Sequence, residues 1–147
     1  MSQTTPRILL VEDNKTNQLV AIAMLSTKGY VIDVAVDGHQ AVEAVKARDY
    51  DVVLMDIQMP KMNGVDATKA IRALGGGKGG VPIIAVTANA MRGDREAYLA
   101  AGMDDYLSKP IDSATLFVTV DRWVSRKRSA AATADNASQG QRRAAEG

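Results

Sequence analysis

The feature of this sequence that most constrains its fold is a fivefold alternation of a short apolar run with a segment of helical periodicity. Short apolar runs bounded by Gly, Pro and polar residues have the length of buried strands. Apolar residues three and four positions apart are typical of amphipathic helices. The predicted strands are residues 7–11, 31–36, 52–55, 81–86 and 104–107, and the predicted helices are residues 15–28, 40–48, 65–74, 91–101 and 113–126.

This alternation favours a parallel sheet with helices on both faces and right-handed crossovers between the strands. We therefore predict an α/β, flavodoxin-like (βα)5 doubly wound parallel sheet with strand order 2-1-3-4-5. In such a sheet, ligands bind outside the carboxyl ends of the strands, where the strand order reverses. Here that switch point lies between the first and third strands.

The length of 147 residues fits one domain with a tail. We predict an N-terminal extension over residues 1–6, a folded domain over residues 7–127 and a disordered tail over residues 128–147. The tail consists of Ala, Ser, Asn, Gln and Gly with scattered Arg, and it is too poor in large apolar side chains to build a core.

Composition excludes several classes of function. The chain has no cysteine, so it has no disulfide, thiolate zinc site or redox motif. Its 18 basic and 17 acidic residues nearly cancel and indicate no nucleic-acid surface. No run approaches the roughly 20 apolar residues of a membrane span, and the N-terminus lacks the regions of a signal peptide. We predict a cytoplasmic protein whose partners are neither nucleic acids nor membranes.

The glycine-rich run at residues 75–80 formally matches a dinucleotide-binding motif through Gly75, Gly77 and Gly80. That motif must follow a strand and open a helix, whereas this run follows a helix and precedes a strand. Gly79 also occupies the position at which a P-loop carries Ser or Thr after its lysine. We predict a flexible surface connection.

Carboxylates follow the two strands that flank the switch point. Glu12 and Asp13 come directly after the first strand, and Asp56 ends the third. Like charges this close raise one another's pKa unless a cation is present. Oxygen ligands without His or Cys favour a hard ion such as Mg²⁺. Taken alone, Asp56 could instead cap the following loop.

Two further polar residues end strands that reach the same edge of the sheet. Thr87 follows the fourth strand and Lys109 the fifth. Each has an ordinary explanation, Thr87 as a turn former and Lys109 as a solvated charge. Together, however, a carboxylate nucleophile, Mg²⁺, a lysine and a hydroxyl are the parts needed to transfer a phosphoryl group to an aspartate.

The first predicted helix is apolar over more of its circumference than one stripe requires. One stripe contains Val20, Ala21 and Met24, and Leu19, Ile22 and Ala23 lie largely beside it. Two interpretations stay open: a broad core face, or an apolar face exposed for a protein partner.

Four motifs of this sequence resemble the signature of response-regulator receiver domains. They are Val11-Glu12-Asp13-Asn14, Leu54-Met55-Asp56-Ile57-Gln58-Met59-Pro60-Lys61-Met62-Asn63-Gly64, Ala85-Val86-Thr87-Ala88 and Lys109-Pro110. The resemblance covers about residues 7–126, and the motifs are most similar to receivers attached to hybrid histidine kinases in two-component phosphorelays.

By that resemblance, Asp56 is the phosphoacceptor and takes a phosphoryl group from a phosphohistidine on a histidine kinase or a histidine phosphotransfer protein. Asp13 and Asp56 bind Mg²⁺ directly with the backbone carbonyl of Gln58, and Glu12 acts through water. Many family members carry Asp at the position of Glu12, so the longer side chain changes the water-mediated metal contact. Lys109 pairs with the phosphoryl oxygens, and its peptide bond to Pro110 is cis.

The resemblance also implies a conformational switch. The Thr87 hydroxyl moves to the phosphate and the ring of Tyr106 turns inward, while Gln58 and Asn89 border the path of hydrolytic water and tune the lifetime of the phosphate. The fourth helix, last strand and last helix form the surface read by a protein output target. The expected protein is a monomer or a weak phosphorylation-dependent dimer that catalyses only its own phosphorylation and dephosphorylation.

Two other functions are less consistent with these residues. Magnesium phosphatases of the haloacid-dehalogenase type also use an aspartyl nucleophile, but they carry a second Asp where this chain has Gln58. A flavodoxin-type flavin carrier conflicts with the acidic loop after the first strand, which would repel a phosphate. The chain is expected to be a single-domain response regulator or a hybrid-kinase receiver, and the closeness of Met1 to the first strand favours the former.

Overall fold

The structure is a computed structural model that describes residues 5–59, 62–88 and 92–128. Within these ranges, strands and helices alternate as the sequence predicts. The strands are β1 (Arg7–Val11), β2 (Val31–Ala35), β3 (Val52–Asp56), β4 (Ile83–Thr87) and β5 (Asp105–Ser108). The helices are α1 (Lys15–Ser26), α2 (Gly38–Ala47), α3 (Gly64–Arg72), the single turn α4 (Gly76–Gly79), α5 (Arg92–Ala100) and α6 (residues 113–128).

The five strands form one parallel sheet in the order β2-β1-β3-β4-β5, which confirms the predicted fold. The register pairs Val11 with Met55 and Asp56 with Val86. It also pairs Thr87 with Ser108. The carboxyl ends of β1, β3, β4 and β5 therefore meet at one edge of the sheet.

The core consists of two layers, one on each face of the sheet. Side chains alternate between the two faces along a strand. Val53 and Met55 of β3 therefore pack with α2, α3 and α5 on one face. Val52 and Leu54 pack with α1 and α6 on the other. Every residue of β3 and β4 is buried. Burying one such aliphatic side chain contributes about 1.5–3 kcal/mol, so the two layers fix β3 and β4 at the centre of the domain.

Four helices begin at a side-chain cap that accepts a backbone N–H three residues on. Asn14, Asp37, Asn63 and Asp112 cap α1, α2, α3 and α6. Such a cap typically contributes about 1 kcal/mol. Because Asp37 caps α2, this helix begins at Gly38, two residues before the predicted start at residue 40.

The glycine-rich run differs from the predicted flexible connection, since Gly76–Gly79 forms one helical turn. Side chains outside the run bind it to the rest of the domain. The guanidinium of Arg72 donates to the carbonyls of Gly79 at 2.8 Å and Val81 at 2.6 Å, and Lys78 Nζ donates to the carbonyl of Val45 at 3.0 Å. Composition alone could not show these long-range hydrogen bonds.

The orientation of α1 corrects the predicted apolar stripe. Ala21 and Leu25 are buried, and the partly buried Ile22 packs on the same core layer. Val20, which was assigned to the stripe, is 45% exposed, and Leu19 is 59% exposed. Leu19, Val20 and Ala23 are therefore on the outer surface of α1, whereas Ile22 belongs to its core face.

A cluster around Asp33 joins β2 to β1 and to the loop before β3. Asp33 accepts hydrogen bonds from Arg7 at 3.1 Å and from the Tyr50 hydroxyl at 2.8 Å. Burial alone would raise the pKa of Asp33, but these donors hold it below 3.8. Burial and the hydrogen bond to Asp33 raise the pKa of Tyr50 to about 12. Asp33 thus stabilises the fold until the pH falls through its lowered pKa. The stabilisation by Tyr50 is complete below about pH 10 and is lost as the pH rises through about 12.

The boundaries of the domain stay predictions. Helix α6 includes Arg128, which was assigned to the tail and whose Nε lies 3.3 Å from Asp51 Oδ1. Residues 129–147 lie outside the described residues, so the disordered tail stays a prediction. Of the helices in the described part of the chain, none combines the length and apolar character that a membrane crossing needs.

Candidate functional site

The candidate site lies where β1 and β3 end, because the register of the sheet brings these ends together. The N–H of Glu12 donates to the carbonyl of Ala35 at 2.9 Å, and the N–H of Ile57 donates to the carbonyl of Val86 at 3.2 Å. Sheet hydrogen bonding thus continues one residue past each strand. By the alternation of side chains, Glu12 and Asp56 both leave the sheet toward the face covered by α1 and α6.

The structure brings together the three carboxylates that the sequence predicts to converge. One oxygen each of Glu12, Asp13 and Asp56 lies within 4.8 Å of the others. Glu12 is 4% exposed and Asp56 is 3% exposed, whereas Asp13 is exposed to solvent. Two of these charges therefore lie in a region of low dielectric constant, where each requires a counter-charge.

Lys109 supplies that counter-charge to both buried carboxylates. Its Nζ lies 3.2 Å from Glu12 Oε1 and 3.2 Å from Asp56 Oδ1. Burial alone would lower the pKa of Lys109, but the adjacent charges of Asp56 and Glu12 outweigh it and raise the pKa above 10.5. Because the folded-state pKa is raised, the stabilisation by this pairing is complete below about pH 10.5 and is lost as the pH rises through the higher value.

Backbone contacts fix the lysine and the acceptor carboxylate. The N–H of Lys109 donates to the carbonyl of Thr87 at 2.8 Å, and the peptide bond from Lys109 to Pro110 is cis, as the resemblance implies. The N–H of Gln58 donates to Asp56 Oδ1 at 3.2 Å. Among the described residues, both contacts to this carboxylate fall on Oδ1, so Oδ2 is the oxygen left for an incoming group.

Glu12 is held by donors of its own. The N–H of Asn14 donates to Glu12 Oε2 at 3.1 Å, and Gln18 Nε2 donates to the Glu12 carbonyl at 2.7 Å. The carboxylate is therefore bound on one oxygen by Asn14 and on the other by Lys109. This arrangement holds the glutamate beside Asp56 despite its longer side chain.

Gly64, the first residue of α3, lets this helix lie close to the end of β3. A Cβ at this position would lie 2.3 Å from the Asp56 carbonyl oxygen and 3.0 Å from Ile57 Cα. The N–H of Gly64 donates to the carbonyl of Ile57 at 3.1 Å. Only glycine lets α3 begin directly against the backbone that carries Asp56.

Thr87 lies at the same edge but on the other face of the sheet. Asp56 pairs with Val86, so the side chains of those two share a face and Thr87 points to the opposite one. Its Oγ1 lies 3.2 Å from the hydroxyl of Tyr98 on α5. No pattern in the sequence indicates a role for Tyr98, because a lone aromatic residue in an amphipathic helix is typical of any core.

The remaining predicted residues have different surroundings. Tyr106 is partly buried against the core layer of α2, α3 and α5, and the Arg95 guanidinium lies 5.2 Å from its ring centroid. Gln58 has an exposed side chain beside the acceptor. Asn89 lies outside the described residues.

The donor set fits a hard divalent cation. It consists only of carboxylate oxygens, and three carboxylates against one ammonium group leave an excess of negative charge that such an ion would offset. The geometry therefore supports a metal-assisted reaction at Asp56.

The family described as Response regulator receiver domain matches residues 8–121. The chain belongs to this family. It is 40% identical over 146 residues to Hybrid signal transduction histidine kinase I of Dictyostelium discoideum, a match that covers 92% of this chain and 8% of that protein. The receiver described here thus spans a small part of the length of such a relative.

Two solved structures share the receiver fold. One is the receiver domain of the sensor histidine kinase PA1611 from Pseudomonas aeruginosa PAO1, which has a magnesium ion in its active-site cleft. It is 48% identical to this chain with a TM-score of 0.77, and the match covers 83% of this chain and 99% of the PA1611 receiver. The Saccharomyces cerevisiae complex of the histidine phosphotransfer protein Ypd1 with the receiver domain of Ssk1 matches at 28% identity and a TM-score of 0.76, covering 85% and 92% of the two chains.

We predict that Lys109→Met destabilises the metal-free receiver at pH 7, because it leaves two buried carboxylates without a counter-charge. Breaking a fully buried pair costs about 3–5 kcal/mol. The lysine side chain is 24% exposed, so we expect a smaller loss of about 1–3 kcal/mol. Urea unfolding in the presence of a chelator measures it.

Lys69→Met, at an exposed position of α3, is the matched control and should leave stability unchanged. A Lys109→Met variant as stable as the control at pH 7 would contradict the pairing.

Proposed function

We propose that this receiver takes a phosphoryl group from a phosphohistidine onto Asp56 in a Mg²⁺-dependent reaction, and that the resulting switch controls a protein partner. The observation that carries the proposal is the position of the Lys109 ammonium between the buried carboxylates of Glu12 and Asp56. From this position, the ammonium can donate to an oxygen of the phosphoryl group that is transferred to Asp56.

The metal ligands we propose are Asp13 and Asp56 with the backbone carbonyl of Gln58, and Glu12 through water. Support comes from the convergence of three carboxylates within 4.8 Å and from the magnesium ion in the related PA1611 receiver. When bound, Mg²⁺ supplies positive charge that offsets the repulsion between these carboxylates and the phosphoryl oxygens.

The transfer step follows from the contacts of Asp56. Oδ2 attacks the phosphorus of the phosphohistidine, a P–O bond forms, and the P–N bond breaks with its electron pair returning to the imidazole, which then takes up a proton. Lys109 and the N–H of Gln58 already donate to Oδ1, so both lie within reach of the new phosphoryl oxygens. The chain's own groups thus orient the nucleophile and stabilise added negative charge.

We further propose that Thr87 and Tyr106 form the switch pair and that Gln58 and Asn89 tune the lifetime of the phosphate. Phosphorylation adds about −1.5 to −2 units of charge. Shifting the ratio of switched to unswitched conformations from 1:99 to 99:1 requires an interaction that favours the switched conformation by about 5.5 kcal/mol. The aspartyl phosphate would gain part of that energy from the Thr87 hydroxyl.

The protein would catalyse no reaction besides its own phosphorylation and dephosphorylation. The family match and Gln58, which stands where an aspartyl phosphatase carries its second Asp, both disfavour the phosphatase alternative. We propose a cytoplasmic receiver, as a single-domain regulator or as part of a hybrid kinase, that acts as a monomer or a weak phosphorylation-dependent dimer.

We predict that a small phosphodonor with Mg²⁺ labels the wild-type protein and that Asp56→Asn abolishes the label. The amide oxygen of Asn is a far weaker nucleophile than a carboxylate. Asp49→Asn, whose parent side chain is 88% exposed, is the control and should be labelled like wild type. Equal acid-labile labelling of Asp56→Asn and wild type would refute the proposed acceptor.

The exposed apolar surface of α1 is the docking face that we propose for the phosphohistidine protein. Val20 borders a pocket of about 180 Å³ that is also lined by Glu12, Lys109, Pro110 and Ile111. The pocket joins this surface to the two side chains that surround Asp56. The co-crystallised Ypd1 and Ssk1 receiver show that a related receiver binds a phosphotransfer protein.

We predict that Leu19→Asp slows phosphotransfer from a phosphohistidine protein at least tenfold, because a charge in an apolar contact must be desolvated. Labelling by a small phosphodonor should stay unchanged, since Leu19 lies outside the catalytic cluster. Ile22 is unsuited to this test because it packs on the core.

Val118→Asp on α6 is the matched control, because Val118 and Leu19 are both 59% exposed. Equal rates of protein phosphotransfer for the two variants would place the docking face elsewhere.

A further inference from the structure

The hydroxyl of Tyr98 contacts Thr87, and the proposed switch assigns this contact no role. Tyr98 is 8% exposed and packs in the core layer of α2, α3 and α5. Its hydroxyl lies 3.2 Å from Thr87 Oγ1. Thr87 is itself only 2% exposed. A buried hydroxyl that loses its partner pays the full desolvation cost of a polar group. The contact therefore resists any movement of the Thr87 side chain.

The strand register determines the direction in which this contact holds Thr87. Asp56 pairs with Val86, and the side chains of both lie toward α1 and α6. Thr87 follows Val86, so its side chain leaves toward the other face, where Tyr98 lies. To donate to a phosphoryl group on Asp56, the Thr87 hydroxyl must turn away from Tyr98.

We propose that Tyr98 is a positioning residue that holds Thr87 in the arrangement of the unphosphorylated protein and thereby sets the free energy of the switch. This inference rests on the proposed phosphorylation of Asp56. Phosphorylation must outcompete the hydrogen bond to Tyr98 before Thr87 reaches the phosphoryl oxygens.

Helix α5 connects this hydrogen bond to the second residue of the switch. Arg95 lies three positions before Tyr98, so the two side chains share one side of the helix. The Arg95 guanidinium lies over the ring of Tyr106 at 5.2 Å from its centroid. A change at Tyr98 that moves α5 would thus reach Tyr106 through Arg95.

The test is the rate of phosphorylation of Tyr98→Phe by a small phosphodonor at saturating Mg²⁺. The variant removes one hydroxyl and keeps the ring in the core. Releasing Thr87 raises the fraction of molecules in the competent arrangement, which raises the apparent rate. We expect phosphorylation to be about threefold to tenfold faster, the range that one net hydrogen bond allows, with an unchanged Kd for Mg²⁺.

Tyr50→Phe is the matched control. Tyr50 is also buried in this core layer, but its hydroxyl donates to Asp33 at the β2 side of the sheet. Both variants lose one buried hydrogen bond, and Tyr50→Phe should lose more stability to urea because its partner is a carboxylate. Only Tyr98→Phe should change the phosphorylation rate.

The Thr87→Ala background separates positioning from a general loosening of the domain. If Tyr98 acts through Thr87, adding Tyr98→Phe to Thr87→Ala leaves the rate unchanged. An equal acceleration in that background, or a Tyr98→Phe rate equal to or below that of wild type, overturns the inference. Failure of the wild-type protein itself to accept a phosphoryl group refutes the proposed function instead.

Discussion

The structure depends most on one shared charge, the ammonium of Lys109 between the carboxylates of Glu12 and Asp56. Without it, two almost fully buried carboxylates would repel each other and lack a counter-charge. Their side chains are nevertheless held in place, because the backbone N–H groups of Asn14 and Gln58 bind one oxygen of each. The same set of contacts holds Asp56 through Oδ1 and leaves Oδ2 for a phosphoryl donor.

The parallel sheet divides the proposed activity between its two faces. Glu12 and Asp56 leave the sheet toward α1, whose apolar outer surface borders the pocket beside Lys109. Thr87 leaves toward α5, where Tyr98 binds it. The proposed chemistry and donor docking therefore lie on one face, and the contact of the proposed switch residue Thr87 with Tyr98 lies on the other. This division follows from the geometry of a strand, because successive side chains point to opposite faces of the sheet.

The fold and the carboxylate cluster could be predicted because they follow from local patterns: strand length, helical spacing and the residues at strand ends. Features set by contacts between distant residues could not. The exposure of Val20 depends on how α1 rotates over the sheet, and the helical turn in the glycine run depends on Arg72 and Lys78. The partnership of Tyr98 with Thr87 joins α5 to β4, and no spacing in the sequence reveals it.

The central claim, that this arrangement makes Asp56 the phosphoacceptor, is tested most directly by locating the modification. The protein is phosphorylated with a small phosphodonor and Mg²⁺, the acyl phosphate is reduced with borohydride, and the peptides are mapped by mass spectrometry. We expect a single reduced residue at position 56, in the peptide that contains Val53 to Met59. Reduction at Asp13 or another carboxylate, with position 56 unmodified, would contradict it.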